Sequence, residues 1–183
     1  MLITVADLRV EPLEFDQHFP PKAIEYGPGI KQIGLLDTQG RADLIEEHRS
    51  AREIIPDIRV RASYKGSFEV PCARCVEPVV HPLEGDFDLL YRPMGADSGS
   101  AERSISTSET EIGYYGGDSL VLEDVLREQV LVSLPEKTLC RADCKGLCPG
   151  CGQNLNAETC TCGEASADPR WTALSDLRSR IEP

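Results

Sequence analysis

Two runs of strictly alternating residues dominate the pattern of this chain. Val60, Ala62, Tyr64, Gly66, Phe68 and Val70 alternate with Arg59, Arg61, Ser63, Lys65, Ser67 and Glu69. Further on, Leu83, Gly85, Phe87, Leu89 and Tyr91 alternate with Glu84, Asp86 and Asp88. A period of two is the signature of half-buried strands. The two runs therefore predict an antiparallel hairpin with Pro71-Cys-Ala-Arg-Cys75 near its tip. One strand is basic on its polar face and the other acidic, so opposite charges are expected to face each other across the pair. Glu84, Asp86 and Asp88 read as a solvated strand face, not as a catalytic or metal-binding set.

Elsewhere the period changes. Leu122, Val125, Leu126 and Val130 recur at helical spacing, with Glu123 and Asp124 in the first turn and Pro135 as the stop. This predicts a helix over 121–134. A second helix is expected from Pro169 to Ile181, capped by Asp168, with Trp171, Leu174, Leu177 and Ile181 as its apolar stripe. That stripe suits core contact, with a docking surface as the alternative. Residues 93–118 are rich in Gly, Ser, Thr and Glu and predict a long acidic loop. The N-terminal third is ambiguous. A polar turn at Asp37–Gly40 between apolar stretches suits a hairpin, while a helix over Ala42–Ile54 competes; strands are favoured.

These elements define an α+β fold: an antiparallel sheet with a packed helix, and a C-terminal Cys-rich zinc-binding segment ending in a short helix. The expected division is an antiparallel β-rich domain at 1–135, containing acidic loop 93–118 and helix 121–134, followed by a segment at 136–183 with the cysteines and the last helix. Composition narrows the function. The formal net charge is −12 over 183 residues, and residues 84–128 alone hold 11 acidic and 3 basic side chains. Such an acidic protein lacks the footprint of a general nucleic-acid binder. No apolar run approaches the ~20 residues of a membrane span. The opening Met1-Leu-Ile-Thr-Val-Ala-Asp has no signal or transit character, so a cytoplasmic location is expected.

Eight cysteines supply the candidate chemistry, in the pairs Cys72/Cys75, Cys140/Cys144, Cys148/Cys151 and Cys160/Cys162. Thiolates at such spacings reach one tetrahedral Zn²⁺ together, and two pairs complete a closed shell. Reduced cytoplasmic thiols favour metal over disulfides. Cys148-Pro-Gly-Cys151-Gly152 has the form of a zinc knuckle, with glycine where a left-handed conformation is required. Cys160 and Cys162 would complete that site. Cys72, Cys75, Cys140 and Cys144 would form a second, closing a loop of roughly sixty-five residues. A partition with Cys140, Cys144, Cys148 and Cys151 in one site, an iron–sulfur cluster, and a disulfide framework are the alternatives. His81 is the one histidine near enough to substitute. A saturated sulfur shell leaves no position for a catalytic water. No phosphate-cradling glycine loop, nucleophile elbow or His/Asp/Ser grouping is present. A structural role for two Zn²⁺ ions, and no enzymatic activity, are expected.

Cys72-Ala-Arg-Cys75, Glu128-Gln-Val-Leu-Val-Ser-Leu-Pro135, Cys144-Lys-Gly-Leu-Cys-Pro-Gly-Cys-Gly-Gln-Asn-Leu-Asn156 and Asp168-Pro-Arg170, in that order, resemble the YceD family of large ribosomal RNA subunit accumulation proteins. The likeness is good over residues ~60–183 and holds in pattern only before that. It implies a factor supporting large-subunit rRNA accumulation and ribosome assembly, with ribosomal proteins or large-subunit rRNA as partners. It adds no small-molecule substrate and no binding residues beyond the cysteines and Lys145-Gly146-Leu147. Some members retain the first cysteine pair but lack the terminal cysteines, which implies separable metal sites. The competing expectation is a zinc-binding protein–protein interaction or regulatory adaptor unconnected with the ribosome.

Overall fold

A computed structural model describes residues 1–50, 53–97 and 112–162. The elements are β1 (Leu2–Thr4), α1 (Val5–Leu8), β2 (Leu13–Phe19), β3 (Lys31–Ser50), β4 (Glu53–Pro71), β5 (Pro78–Pro93), β6 (Ile112–Tyr115), β7 (Ser119–Val121) and α2 (Leu122–Ser133). Strands β2-β3-β4-β5-β6 form one sheet in that order, and β1 pairs with β7 in a second. The contacts divide the chain into two compact units. One comprises residues 1–70 and 78–136; the other comprises 71–77 and the chain from Lys137 onward.

The first unit is the α+β body that the alternation predicts. Val60, Ala62, Tyr64, Phe68 and Val70 of β4 are buried, as are Leu83, Phe87 and Tyr91 of β5. Helix α2 adds Leu122, Val125, Leu126 and Val130, four of the most enclosed side chains in the core. Its C-terminal Ser133 lies 2.7 Å, Oγ to hydroxyl, from Tyr64. On the polar face the expected charge pairing is present. Arg59 grips Asp88 with two bonds of 2.7 and 2.6 Å, and Lys65 meets Glu84 at 3.2 Å.

Strand is also the outcome in the N-terminal third, but not with a turn at Asp37–Gly40. β3 runs straight through those residues, which pair with Phe15–His18 of β2 and with Ala62–Lys65 of β4. Gly40 serves close approach: a β-carbon there would lie 2.4 Å from the Arg61 carbonyl oxygen and 2.5 Å from Ala62 Cβ. The irregularity falls earlier, at a register shift between Ile33 and Asp37, where Gly34 takes φ +73°. The competing helix over 42–54 is replaced by a ladder from Ala42↔Val60 to His48↔Ile54.

The acidic loop expected over 93–118 is also interrupted. Ile112–Tyr115 forms β6, which runs parallel to Leu90–Pro93, so one edge of the otherwise antiparallel sheet is parallel. Tyr115 anchors it, being buried and donating its hydroxyl to the Pro56 carbonyl at 2.6 Å. Residues 98–111 of that loop, and the expected helix 169–181 with Trp171, lie outside the described residues.

One feature left no pattern in the sequence. Arg92 and Asp57 are 3 and 1 % exposed and share bonds of 3.1 and 2.8 Å. Glu47 and Asp97 also face Arg92. The Asp57 bonds raise the Arg92 pKa further, and Arg49 holds the Asp97 carboxyl below its usual range. Removing one partner of such a pair leaves an uncompensated buried charge. We therefore expect Asp57→Ala to cost about 3–5 kcal/mol and Leu126→Ala about 2–5 kcal/mol, both read as lowered urea midpoints followed by circular dichroism.

Candidate metal centres

Among the described residues of the second unit no aliphatic or aromatic side chain is buried. Among its described residues the buried side chains are Cys72, Cys75, Cys144 and Cys148. The cysteine sulfurs of the unit converge. Cys72, Cys75, Cys140 and Cys144 form one quartet, and Cys148, Cys151, Cys160 and Cys162 the other. Within each quartet all four sulfurs lie within 4.8 Å of one another.

Each quartet starts from the same local turn. In the first, the Val76 N–H bonds to the Cys72 carbonyl at 3.0 Å; in the second, the Gly152 N–H bonds to the Cys148 carbonyl at 2.8 Å. The residue after the second cysteine is left-handed in both, Val76 at φ 63° and Gly152 at φ 75°. Glycine adopts that conformation freely, and a β-branched residue does so only under strain. The tip turn is closed by Cys72 N–H to the Glu77 carbonyl at 2.8 Å and tied to the later segment by Ala73 N–H to the Thr138 carbonyl at 2.8 Å.

Backbone dipoles point at the sulfurs. The Cys140 N–H lies 3.4 Å from Cys72 Sγ, and the Gly150 N–H lies 3.4 Å from Cys148 Sγ. N–H groups of Cys75 and Arg74, with that of Cys140, draw the Cys72 thiol down to about 6. Those of Cys151 and Gly150 do the same for Cys148, also to about 6. Other members are driven the opposite way. Burial and the neighbouring sulfurs push Cys140 up to about 12, and the bond from Cys151 with the charge of its neighbours pushes Cys162 up to about 12. Four packed thiols cannot all ionise alone. A divalent cation removes that repulsion.

The donor set fits such an ion. Tetrahedral zinc at ~2.3 Å from each sulfur spaces the sulfurs ~3.8 Å apart. Cys72 and Cys144 are 3.9 Å apart, Cys75 and Cys140 3.6 Å, and Cys148 and Cys160 3.4 Å. All eight cysteines are free of disulfides. The grouping that placed Cys140, Cys144, Cys148 and Cys151 together is not adopted, and His81 joins neither quartet. Such centres can brace a chain; with four protein sulfurs around each ion, no position remains for a reacting water.

The residues around the sulfurs carried no metal-ligand identity that sequence reasoning could use. Arg74 donates to the Cys144 carbonyl at 2.8 Å, and Asn156 Nδ2 lies 3.3 Å from Cys144 Sγ. Burial raises the Cys144 thiol pKa, but bonds from Asn156 and the Gly146 N–H outweigh it and leave the group lowered.

A family model described as large ribosomal RNA subunit accumulation protein YceD matches residues 60–178. Uncharacterised proteins of Mycobacterium tuberculosis strain H37Rv and of Mycobacterium bovis are each 35% identical over 148 residues, covering 81% of this chain and 64% of theirs. The chain thus spans 64% of the length of those relatives. A chloroplastic protein of Arabidopsis thaliana, named large ribosomal RNA subunit accumulation protein YCED homolog 1, is 33% identical over 57 residues, 31% of this chain and 18% of that protein. No solved structure matches the chain.

The strained turn gives a directional test. Val76→Gly should stabilise the metal-loaded protein by about 0.5–1 kcal/mol, the left-handed penalty less glycine's greater unfolded freedom. Gly152→Val should destabilise the other turn by about 1–2 kcal/mol. Both are measured as shifts in the chelator concentration that strips half the metal.

Proposed function

The chain belongs to the YceD family, and on that premise we propose that it is a non-enzymatic, zinc-braced factor supporting accumulation of large-subunit rRNA in the cytoplasm. It would act in ribosome assembly through contacts with ribosomal proteins or large-subunit rRNA. The observation that carries the reading is the pair of closed four-sulfur quartets, matched by the family over the region that contains them. Cys72, Cys75, Cys140 and Cys144 would hold one Zn²⁺, and Cys148, Cys151, Cys160 and Cys162 the other. Bound zinc supplies a fixed tetrahedral cross-link and no redox chemistry.

Charge supports the protein-mediated form of this activity. A chain at −12, made more negative by two dianionic zinc–thiolate centres, repels phosphate and attracts cationic ribosomal proteins. No helix among the described residues is long and apolar enough to cross a membrane.

Anaerobically prepared protein should contain two zinc ions per chain by elemental analysis. Cells depleted of it should lose large-subunit rRNA and large-subunit particles in sedimentation profiles. Unchanged particles would instead favour an adaptor unconnected with the ribosome. In binding assays at physiological salt, basic ribosomal proteins should be retained and bare rRNA should not; the reverse result would overturn the protein-mediated form.

A further inference from the structure

The two quartets are joined by more than chain continuity. Between Cys151 and Cys160, residues 152–156 leave the second quartet and fold back over the first. Cys148 N–H bonds to the Gln153 carbonyl at 2.8 Å, Leu147 and Asn154 form an antiparallel bridge, and Leu155 N–H bonds to the Gly146 carbonyl at 2.9 Å. Asn154 Nδ2 reaches Glu77 of the first tip turn at 3.2 Å. Midway along the strap, which runs on to Cys160, Asn156 lies against Cys144.

The orientation of that side chain is determined by its partners. The Lys145 backbone N–H and Arg141 Nη2 both lie 2.8 Å from Asn156 Oδ1. Both are obligate donors, so the oxygen must face them and Nδ2 must turn the other way. Nδ2 then donates to Cys144 Sγ at 3.3 Å and to Asn154 Oδ1 at 2.9 Å. All four hydrogen-bonding positions of the amide are filled. An N–H aimed at a ligating thiolate steadies its charge and fixes its direction, and such outer contacts typically govern 10- to 100-fold in metal affinity.

We propose that Asn156 is a positioning residue for the first quartet, carried on a strap whose two ends are held by the second, so that metal in the second quartet raises the affinity of the first. This rests on the reading that both quartets hold zinc. It departs from two sites that fill independently. Cys151 and Cys160 hold the ends of the strap, and with those ends released the ordering of residues 152–156 must come from the first quartet's own binding energy. By linkage the dependence is mutual.

Cadmium-113 serves as the probe, added alone to metal-free full-length protein in competition with a chelator. Its two resonances are assigned with Cys72→Ser and Cys160→Ser. Asn156→Asp keeps the acceptor for Lys145 and Arg141 but replaces the donor with a carboxylate. It should weaken the first quartet by about 10–100-fold and the second, whose ligands and their contacts are intact, by less. Asn156→Ala should weaken it less. Cys160→Ser should weaken the first quartet although it removes none of its ligands. In the parent protein a side-chain amide proton of Asn156 should couple through sulfur to the first cadmium, a signature that simple packing does not produce. Helix α2 circular dichroism should be unaltered in all variants. An unchanged first-quartet affinity in Asn156→Asp, or no through-sulfur coupling, overturns the positioning role. An unchanged affinity in Cys160→Ser overturns the linkage alone. Fewer than two cadmium resonances from the parent protein would instead defeat the metal reading beneath both.

Discussion

Four sulfurs within 4.8 Å of one another cannot all carry charge without a cation among them, and this repulsion is the constraint on which the second unit depends. In the second unit the buried side chains among the described residues are cysteines, so an ion held by each quartet would supply there the cross-linking that apolar packing supplies in the first unit. The N–H groups that draw Cys72 and Cys148 toward thiolate, with the bonds that lower Cys144, prepare two members of the first quartet and one of the second for an ion. Their neighbours await it. If an ion fills these quartets as proposed, its binding and the folding of this unit are coupled.

The first unit is built by the opposite means. Its core is a conventional stack of Leu, Ile, Val and Phe between sheet and helix, with Phe68, Leu126 and Val130 almost wholly removed from water. Charge is kept on the polar face, where cross-strand pairs such as Arg59–Asp88 organise it. The exception is Arg92 with Asp57. An ion pair so enclosed adds little net stability compared with an apolar equivalent, but it is costly to break.

Sequence pattern was most legible where one physical demand acted alone. The period of two across residues 59–91 reports a half-buried hairpin, and the stripe from Leu122 to Val130 reports a helix; both are present within a residue or so. The cysteine spacings likewise led to the two groupings that the structure brings together. Misreadings arose where one residue type serves two purposes. Gly40 looks like a turn residue, yet it lets β3 pass close to Ala62. Ile112–Tyr115 lies in a polar context, yet two tyrosines suffice to pin a parallel edge strand. Asn156 stood in the motif block without a role attached and Arg92 left no pattern, because outer contacts to sulfur and long-range ion pairs have no sequence period.

The tip turn also sets a timetable for synthesis. Cys75 precedes Cys140 by 65 residues and Cys72 precedes Cys144 by 72. At ~5–20 residues per second of translation, the early thiols emerge roughly 3–14 s before their partners. During that interval they offer only half a coordination shell, open to any soft metal or oxidant the nascent chain meets. Completion of the first quartet is thus postponed until α2 has been made, and a closed first quartet marks a polypeptide translated past its helix.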